Sequence, residues 1–309
     1  MFCKEKLKDA IYGLAIADAC GVPGEFKPRE YLKSCPITDM IGNVGCWRQP
    51  TGTWSDDTSM TLALLDALKN NNYEYSKEVL TQTMENFISW YRVGVFASNM
   101  NRFDIGNTCR LAIQNFENKR DVYKCGIKDI NSCGNGALMR ILPMAFLDYK
   151  NDKELIKAVD EVTSLTHANA ICSETSIIYI KFVRELLNGK TKEEAFENII
   201  EYCQNVSILI GFLKVINPFE RIDNNFHNIE ERKIQSTGYC VHTLEAALWC
   251  FLNSNSYEEC ILKAINLGDD TDTTAAVVGG ICGVYYGFDN IPTKWVDKLL
   301  DKETIDNLL

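Results

Sequence analysis

Apolar residues recur at helical spacing along most of the chain. Leu7, Ile11, Leu14 and Ala15 stand at i, i+4, i+7 and i+8, the stripe of a helix with one buried face. Leu155, Ile156, Val159 and Val162 repeat it behind the polar start "NDKE". Thr191 with Glu194, and Ser256 with Glu259, have capping-box spacing and open two further helices. Gly189 and Gly268 fall where helices end in the left-handed conformation. No proline lies between Pro143 and Pro218, so long helices can follow one another there. Alternating patterns joined by Asn-Gly turns are not evident, and only a short piece about Ile37–Val44 reads as extended. The pattern predicts an all-α chain of about ten or more helices. No linker or repeat divides it, so residues 1–309 are expected to form one compact domain. Irregular stretches are expected at about Cys20–Thr53, Arg92–Asn107, Lys124–Gly136 and Val215–Gly238. They hold most of the candidate chemistry, as loops on a rigid scaffold tend to.

Composition narrows the picture. The chain has 309 residues and is 46% hydrophobic, enough for a large core. Net charge is −10 with no basic stripe, which argues against a nucleic-acid partner. No apolar run approaches the roughly 18 residues of a membrane span, so no membrane partner is expected. The opening "MFCKEKLKDAIYG" carries charge too early for a secretory signal. Thirteen cysteines without a C-x-x-C pair point to reduced, mostly buried thiols in a cytoplasmic protein. A monomer is favoured.

Two stretches concentrate acid. "GTWSDDTSMTLALLDAL" places Ser55, Asp56, Asp57 and Thr58 before an apolar helix, and "NLGDDTDTTAAVVGG" does the same with Asp269, Asp270 and Asp272. Capping explains one such cluster, at about 1 kcal/mol per cap. Two clusters, each with more carboxylates than a cap can use, suggest a cation between them, because crowded carboxylates repel. Oxygen donors without neighbouring His or Cys suit Mg²⁺ or Mn²⁺ rather than zinc.

In order along the chain come "GLAIADACGVPGEF", "TGTWSDDTSMTLAL", "FDIGNT", "GNGALMRILP", "SLTHANA", "TGYCVHTLEAALW" and "NLGDDTDTTAAVVGGICGVYYG". From about Gly13 to Gly287 the chain resembles the ADP-ribosylglycohydrolase family. The resemblance implies an all-α, orthogonally packed bundle with a two-metal centre, Mg²⁺ or Mn²⁺, in a cleft. It implies hydrolysis of the bond between ADP-ribose and an acceptor, with an ADP-ribosylated protein or small molecule as substrate and ADP-ribose as product. Arginine is the favoured acceptor. Carried over by motif, the metal ligands are Ser55, Asp56, Asp57, Asp270, Asp272 and Thr273. Glu25 is the expected acid/base, and Asp104 a second carboxylate at the ribose. Gly134, Asn135, Gly136, His167 and Tyr239 are expected against ADP-ribose. Asp269 is expected at the surface or behind the ligands. Asp18, on the apolar face of the first helix, is read as a buried structural carboxylate. Departures from the family pattern are Ala17 before Asp18, the lack of a further His and Pro after "THANA", and His242 where an Asp is frequent. Two alternatives stand beside this reading. One is a non-catalytic ADP-ribose binder or toxin-blocking immunity protein. The other is an all-α, Mg²⁺-dependent isoprenoid-type synthase, although "DDTSM" and "DDTD" have the wrong spacing for it.

Overall fold

The computed structural model describes residues 3–212 and 217–309. Among them are thirteen α-helices and no strand. In chain order these are α1 (Lys4–Gly21), α2 (Arg29–Ser34), α3 (Asp56–Asn70), α4 (Lys77–Val93), α5 (Asn107–Lys119), α6 (Asp152–Ser164) and α7 (Ala170–Leu187). Then follow α8 (Lys192–Phe212), α9 (Cys240–Leu252), α10 (Tyr257–Ile265), α11 (Thr271–Tyr286), α12 (Thr293–Lys298) and α13 (Lys302–Leu308).

The pair α1 and α11 forms the centre. Residues Ala10 to Gly21 of α1 and Thr271 to Val284 of α11 are all buried. A helix covered on every side belongs to the core of its domain. The two touch backbone to backbone: a Cβ on Gly13 would sit 2.4 Å from the Gly279 carbonyl oxygen, and one on Gly21 2.4 Å from the Asp272 Cα. Ala17 fits because its partner, Gly279, has no Cβ; one there would come within 2.4 Å of the Ala17 methyl. This departure from the family pattern therefore has a local compensation. Close approach of α1 to α11 brings Asp18 and Gly21 against the start of α11.

The predicted start and stop signals are in place. Thr191 Oγ1 accepts the Glu194 N–H at 3.2 Å, while Glu194 takes the Thr191 N–H at 2.9 Å. Ser256 Oγ accepts the Glu259 N–H, but Glu259 reaches one residue further back, to the Asn255 N–H. Gly189 and Gly268 have φ of +82° and +84°. The stretch about Ile37–Val44 joins no strand. Ile37 is instead held by the Asn266 side-chain amide, which accepts its N–H at 3.0 Å and donates to its carbonyl at 2.9 Å. The stretch expected to be irregular from Cys20 contains the short helix α2, built on the Pro28 turn. The expected Val215–Gly238 stretch begins outside the described residues. None of the thirteen cysteines is in a disulfide, and ten are buried. Among the described residues no helix is long and apolar enough to cross a membrane.

Candidate active site

The starts of α3 and α11 meet beside α1, and both are acidic. Asp56 and Asp57 fill the first turn of α3. Asp270 precedes α11, and Asp272 lies in its first turn. Capping does not account for Asp56 and Asp57, because the start of α3 is satisfied by its N-cap Ser55, whose Oγ accepts the Asp57 N–H, and by Asp18. Asp18 reaches across from α1, its carboxylate accepting the Ser55 N–H at 3.0 Å, the Thr58 N–H at 3.0 Å and the Thr58 hydroxyl at 2.5 Å. Asp18 is thus a buried structural carboxylate, as expected, and it fixes the start of α3. Asp57 is left to receive the Ser55 hydroxyl at 2.9 Å and the Thr273 hydroxyl at 3.3 Å, both on Oδ2. The second contact ties one acidic cluster to the other.

Two oxygens of these clusters have no partner. Asp57 Oδ1 and Asp272 Oδ2 are buried and accept no hydrogen bond. One oxygen each of Asp18, Asp57 and Asp272 lie within 4.8 Å of one another, and so do oxygens of Glu25, Asp104 and Asp272. Burial pushes the Asp56, Asp57 and Asp272 carboxyls well above the ordinary range. Neighbouring charge, first Asp104, Asp18 and Glu25 respectively, pushes them further. Orphaned buried oxygens are costly in a folded protein. A hard divalent cation is the partner that oxygen-only donors of this kind suit. Ser55, Asp56, Asp57, Asp270, Asp272 and Thr273 are therefore gathered at one place, and the acidic clusters can hold metal.

A cleft of about 280 Å³ opens above them. Glu25, Asp56, Asp104 and Asp270 line it together with Gly134, Asn135, Gly136 and His167. Ser55, Asp57 and Asp272 are buried beneath. No Lys or Arg is among the lining residues. Glu25 ends the short turn after α1, and Asp104 lies in the loop before α5 with a left-handed φ of 65°. Oxygens of the two side chains lie within 4.8 Å of each other. Burial raises both carboxyls; Asp270 and Asp57 raise Glu25 further and Glu25 raises Asp104, whereas the Trp47 indole N–H bonded to Glu25 Oε2 works the other way.

Asn135 donates both protons of its amide, to Asp270 Oδ2 at 2.8 Å and to Thr243 Oγ1 at 2.9 Å. Its orientation is thereby fixed. Gly136 must be small: a Cβ would come within 2.8 Å of Cys109 Sγ. Neighbours hold the His167 ring: Arg140 donates to Thr166 Oγ1 at 2.7 Å, and Thr166 Oγ1 lies 2.8 Å from His167 Nδ1. Burial, reinforced by Arg140, lowers the His167 pKa to about 3. His167 is a neutral imidazole on the cleft wall.

Tyr239 does not line the cleft. It precedes α9, pairs with Gly134 through an isolated antiparallel bridge, and packs edge-on against His242. Gly238 lines the wall instead. Asp269 is exposed and joins the loops, its carbonyl accepting the Phe26 N–H at 2.7 Å. The sequence reading missed the start of α5, where Gly106, Asn107 and Thr108 face the cleft. That helix has no side-chain cap, so its free N–H groups present the positive end of the helix dipole. The "GNT" following Asp104 was the available signal. Phe26 and Met139, also on the wall, carried none.

Three comparisons bear on this geometry. The family model described as ADP-ribosylglycohydrolase matches residues 2–309. The chain is 36% identical over 305 residues to the ADP-ribosylarginine hydrolase Tri1 of Serratia proteamaculans (strain 568), covering 98% of this chain and 78% of that one. It is 27% identical over 294 residues to the ADP-ribosyl-[dinitrogen reductase] glycohydrolase of Rhodospirillum rubrum, covering 94% and 88%. A solved structure titled "ADP-ribosylglycohydrolase-related protein complex" superposes with a TM-score of 0.79 at 29% identity, covering 98% of this chain and 95% of that chain.

Proposed function

We propose an activity from the premise that this chain belongs to the ADP-ribosylglycohydrolase family: hydrolysis of the bond that joins ADP-ribose to an acceptor, with arginine as the acceptor. Two relatives at 36% and 33% identity are ADP-ribosylarginine hydrolases, which supports the choice of arginine over serine. The observation that carries the reading is the meeting of two acidic helix starts, with Asp57 Oδ1 and Asp272 Oδ2 unpartnered, beneath a cleft that also holds the Glu25–Asp104 pair.

Breaking a ribosyl bond passes through an oxocarbenium-like state and needs a proton at the leaving atom. Glu25, whose carboxyl is raised, is the donor: it gives its proton to the departing guanidine nitrogen as the ribose C–N bond breaks. The water that replaces the acceptor bonds to the same anomeric carbon and loses a proton to the Glu25–Asp104 pair, which restores the starting state. Ser55, Asp56, Asp57, Asp270, Asp272 and Thr273 would hold two divalent cations, Mg²⁺ in the first instance. Bound there, the ions would orient ribose hydroxyls and water and offset negative charge. The His167 ring, the backbone about Gly134–Gly136 and the start of α5 supply donors for the diphosphate in a wall without basic side chains.

The test is release of ADP-ribose from ADP-ribosyl-arginine and ADP-ribosyl-serine peptides, each with Mg²⁺, with Mn²⁺ and with chelator. Release from the arginine peptide that chelator abolishes is the expected result. Product from neither peptide with metal present refutes the reading, and so does release from the arginine peptide that persists in chelator.

A further inference from the structure

Trp47 lies outside the acidic motifs, yet it touches Glu25 and Phe103, the residue before Asp104. Its indole N–H donates to Glu25 Oε2. Its ring lies 5.5 Å from that of Phe103, the residue before Asp104. Cys46 Sγ approaches the Glu25 carbonyl at 3.8 Å, so the chain wraps around Glu25. Gln49 Oε1 accepts the Asn101 amide at 2.9 Å, which links the same two loops again. Trp54, Trp90, Trp249 and Trp295 are buried in the core, whereas Trp47 is half-buried in a loop. Packing alone does not require an indole there.

We propose that Trp47 is a positioning residue for the reaction: its N–H holds the Glu25 carboxyl in one orientation, and its ring against Phe103 locks the Glu25 loop to the Asp104 loop. This rests on the role given to Glu25 above. A glutamate carboxyl on a short turn rotates about three side-chain bonds, and its productive arrangement has to be fixed by a neighbour. Of the partners of Glu25, Asp104 is itself an acid in the same chemistry. The indole N–H only donates and does not titrate, so it orients Glu25 without competing for the proton. Trp47 is absent from the cleft lining and is not assigned to substrate binding.

The experiment compares Trp47→Phe, which keeps a ring against Phe103 and removes the N–H, with Trp47→His, which keeps a ring N–H. Each is assayed for kcat and KM on ADP-ribosyl-arginine peptide, for ADP-ribose affinity by calorimetry, and for Tm. The expected result for Trp47→Phe is a loss of about tenfold or more in kcat, the scale of one hydrogen bond to a charged group. KM and ADP-ribose affinity stay within about twofold, and Tm is little changed. Trp47→His recovers a substantial part of kcat. Unchanged kcat in Trp47→Phe overturns the proposal, as does a loss that appears in KM and ADP-ribose affinity, which would make Trp47 a substrate contact. Failure of Trp47→His to recover kcat, with its fold intact, also overturns it. An inactive wild-type protein would refute the hydrolase reading instead, so the two failures are distinct.

Discussion

Asp57→Asn should stabilise the metal-free protein and at the same time abolish its stabilisation by Mg²⁺. Oxygens of Asp18, Asp57 and Asp272 lie within 4.8 Å of one another in the buried floor of the cleft. Two unit charges at that distance repel by about 3.5 kcal/mol at an effective dielectric of roughly 20. Retaining a proton relieves part of this, at a cost of about 1.4 kcal/mol per pH unit above the ordinary carboxylate pKa. The Asp57→Asn side chain removes the charge but keeps an oxygen for the Ser55 or Thr273 hydroxyl, so about 1 kcal/mol of hydrogen bonding is lost. The net gain is roughly 1–3 kcal/mol. For 309 residues the unfolding entropy makes each kcal/mol worth about 1.5 °C, so Tm in chelator should rise by about 2–5 °C.

With Mg²⁺ at about a hundred times its dissociation constant, the wild type should gain roughly 2.7 kcal/mol, or about 4 °C; Asp57→Asn should gain little. Scanning calorimetry of both proteins, with chelator and with Mg²⁺, gives the four transitions. The curves should cross, the variant being more stable without metal and the wild type catching up or passing it with metal. A variant that melts lower than wild type in chelator would show that Asp57 is an ordinary satisfied carboxylate. An undiminished Mg²⁺ shift in the variant would place the cation elsewhere.

Three further outcomes test other parts of the molecule. Glu25→Gln should lower kcat about 10²- to 10⁴-fold, the range of general acid–base catalysis, while calorimetric ADP-ribose affinity stays within a few-fold; a larger loss from Asp104→Asn than from Glu25→Gln would exchange their roles. Lys192 points its three ammonium protons at the Phe251 carbonyl (2.7 Å), the Ser254 carbonyl (2.5 Å) and the Tyr286 hydroxyl (2.8 Å), over the Phe251 ring. Lys192→Met should therefore cost about 2–4 kcal/mol, read as a Tm lower by about 3–6 °C with kcat unchanged. His167 is buried and its pKa is depressed to about 3, so between the unfolded value near 6.5 and pH 3 the unfolded chain binds a proton that the folded one refuses. Stability should fall as pH drops through that window, by about 2 kcal/mol between pH 7.5 and 5 from this group alone; His167→Gln should remove that share in urea unfolding at the two pH values, and an equal slope in both proteins would refute the buried neutral imidazole.

What the sequence made legible, and what it concealed, follows from the range of the interactions involved. Helix existence is a local matter: the apolar period of α1 and the capping pairs at Thr191 and Ser256 are read within a few residues, and they were legible. The acidic starts of α3 and α11 were legible as a surplus of charge. That the surplus is not used for capping follows from Ser55, which caps α3 locally, and from Asp18, some forty residues earlier, which accepts the Ser55 and Thr58 N–H groups. The second of these is a tertiary contact that the sequence does not reveal. The start of α5 was concealed because its chemistry lies in backbone N–H groups, to which any residue type contributes. Tyr239 is not among the residues lining the cleft; its backbone pairs with Gly134, and its neighbour Gly238 lines the cleft. Trp47 was concealed because its partner, Glu25, lies 22 residues earlier across a stretch without regular periodicity. Side chains that act on the reaction can be recognised by their kind. Those that hold them in place are recognised by what they touch, as Asp18 of α1 and the loops around Trp47 and Phe103 are in the fold.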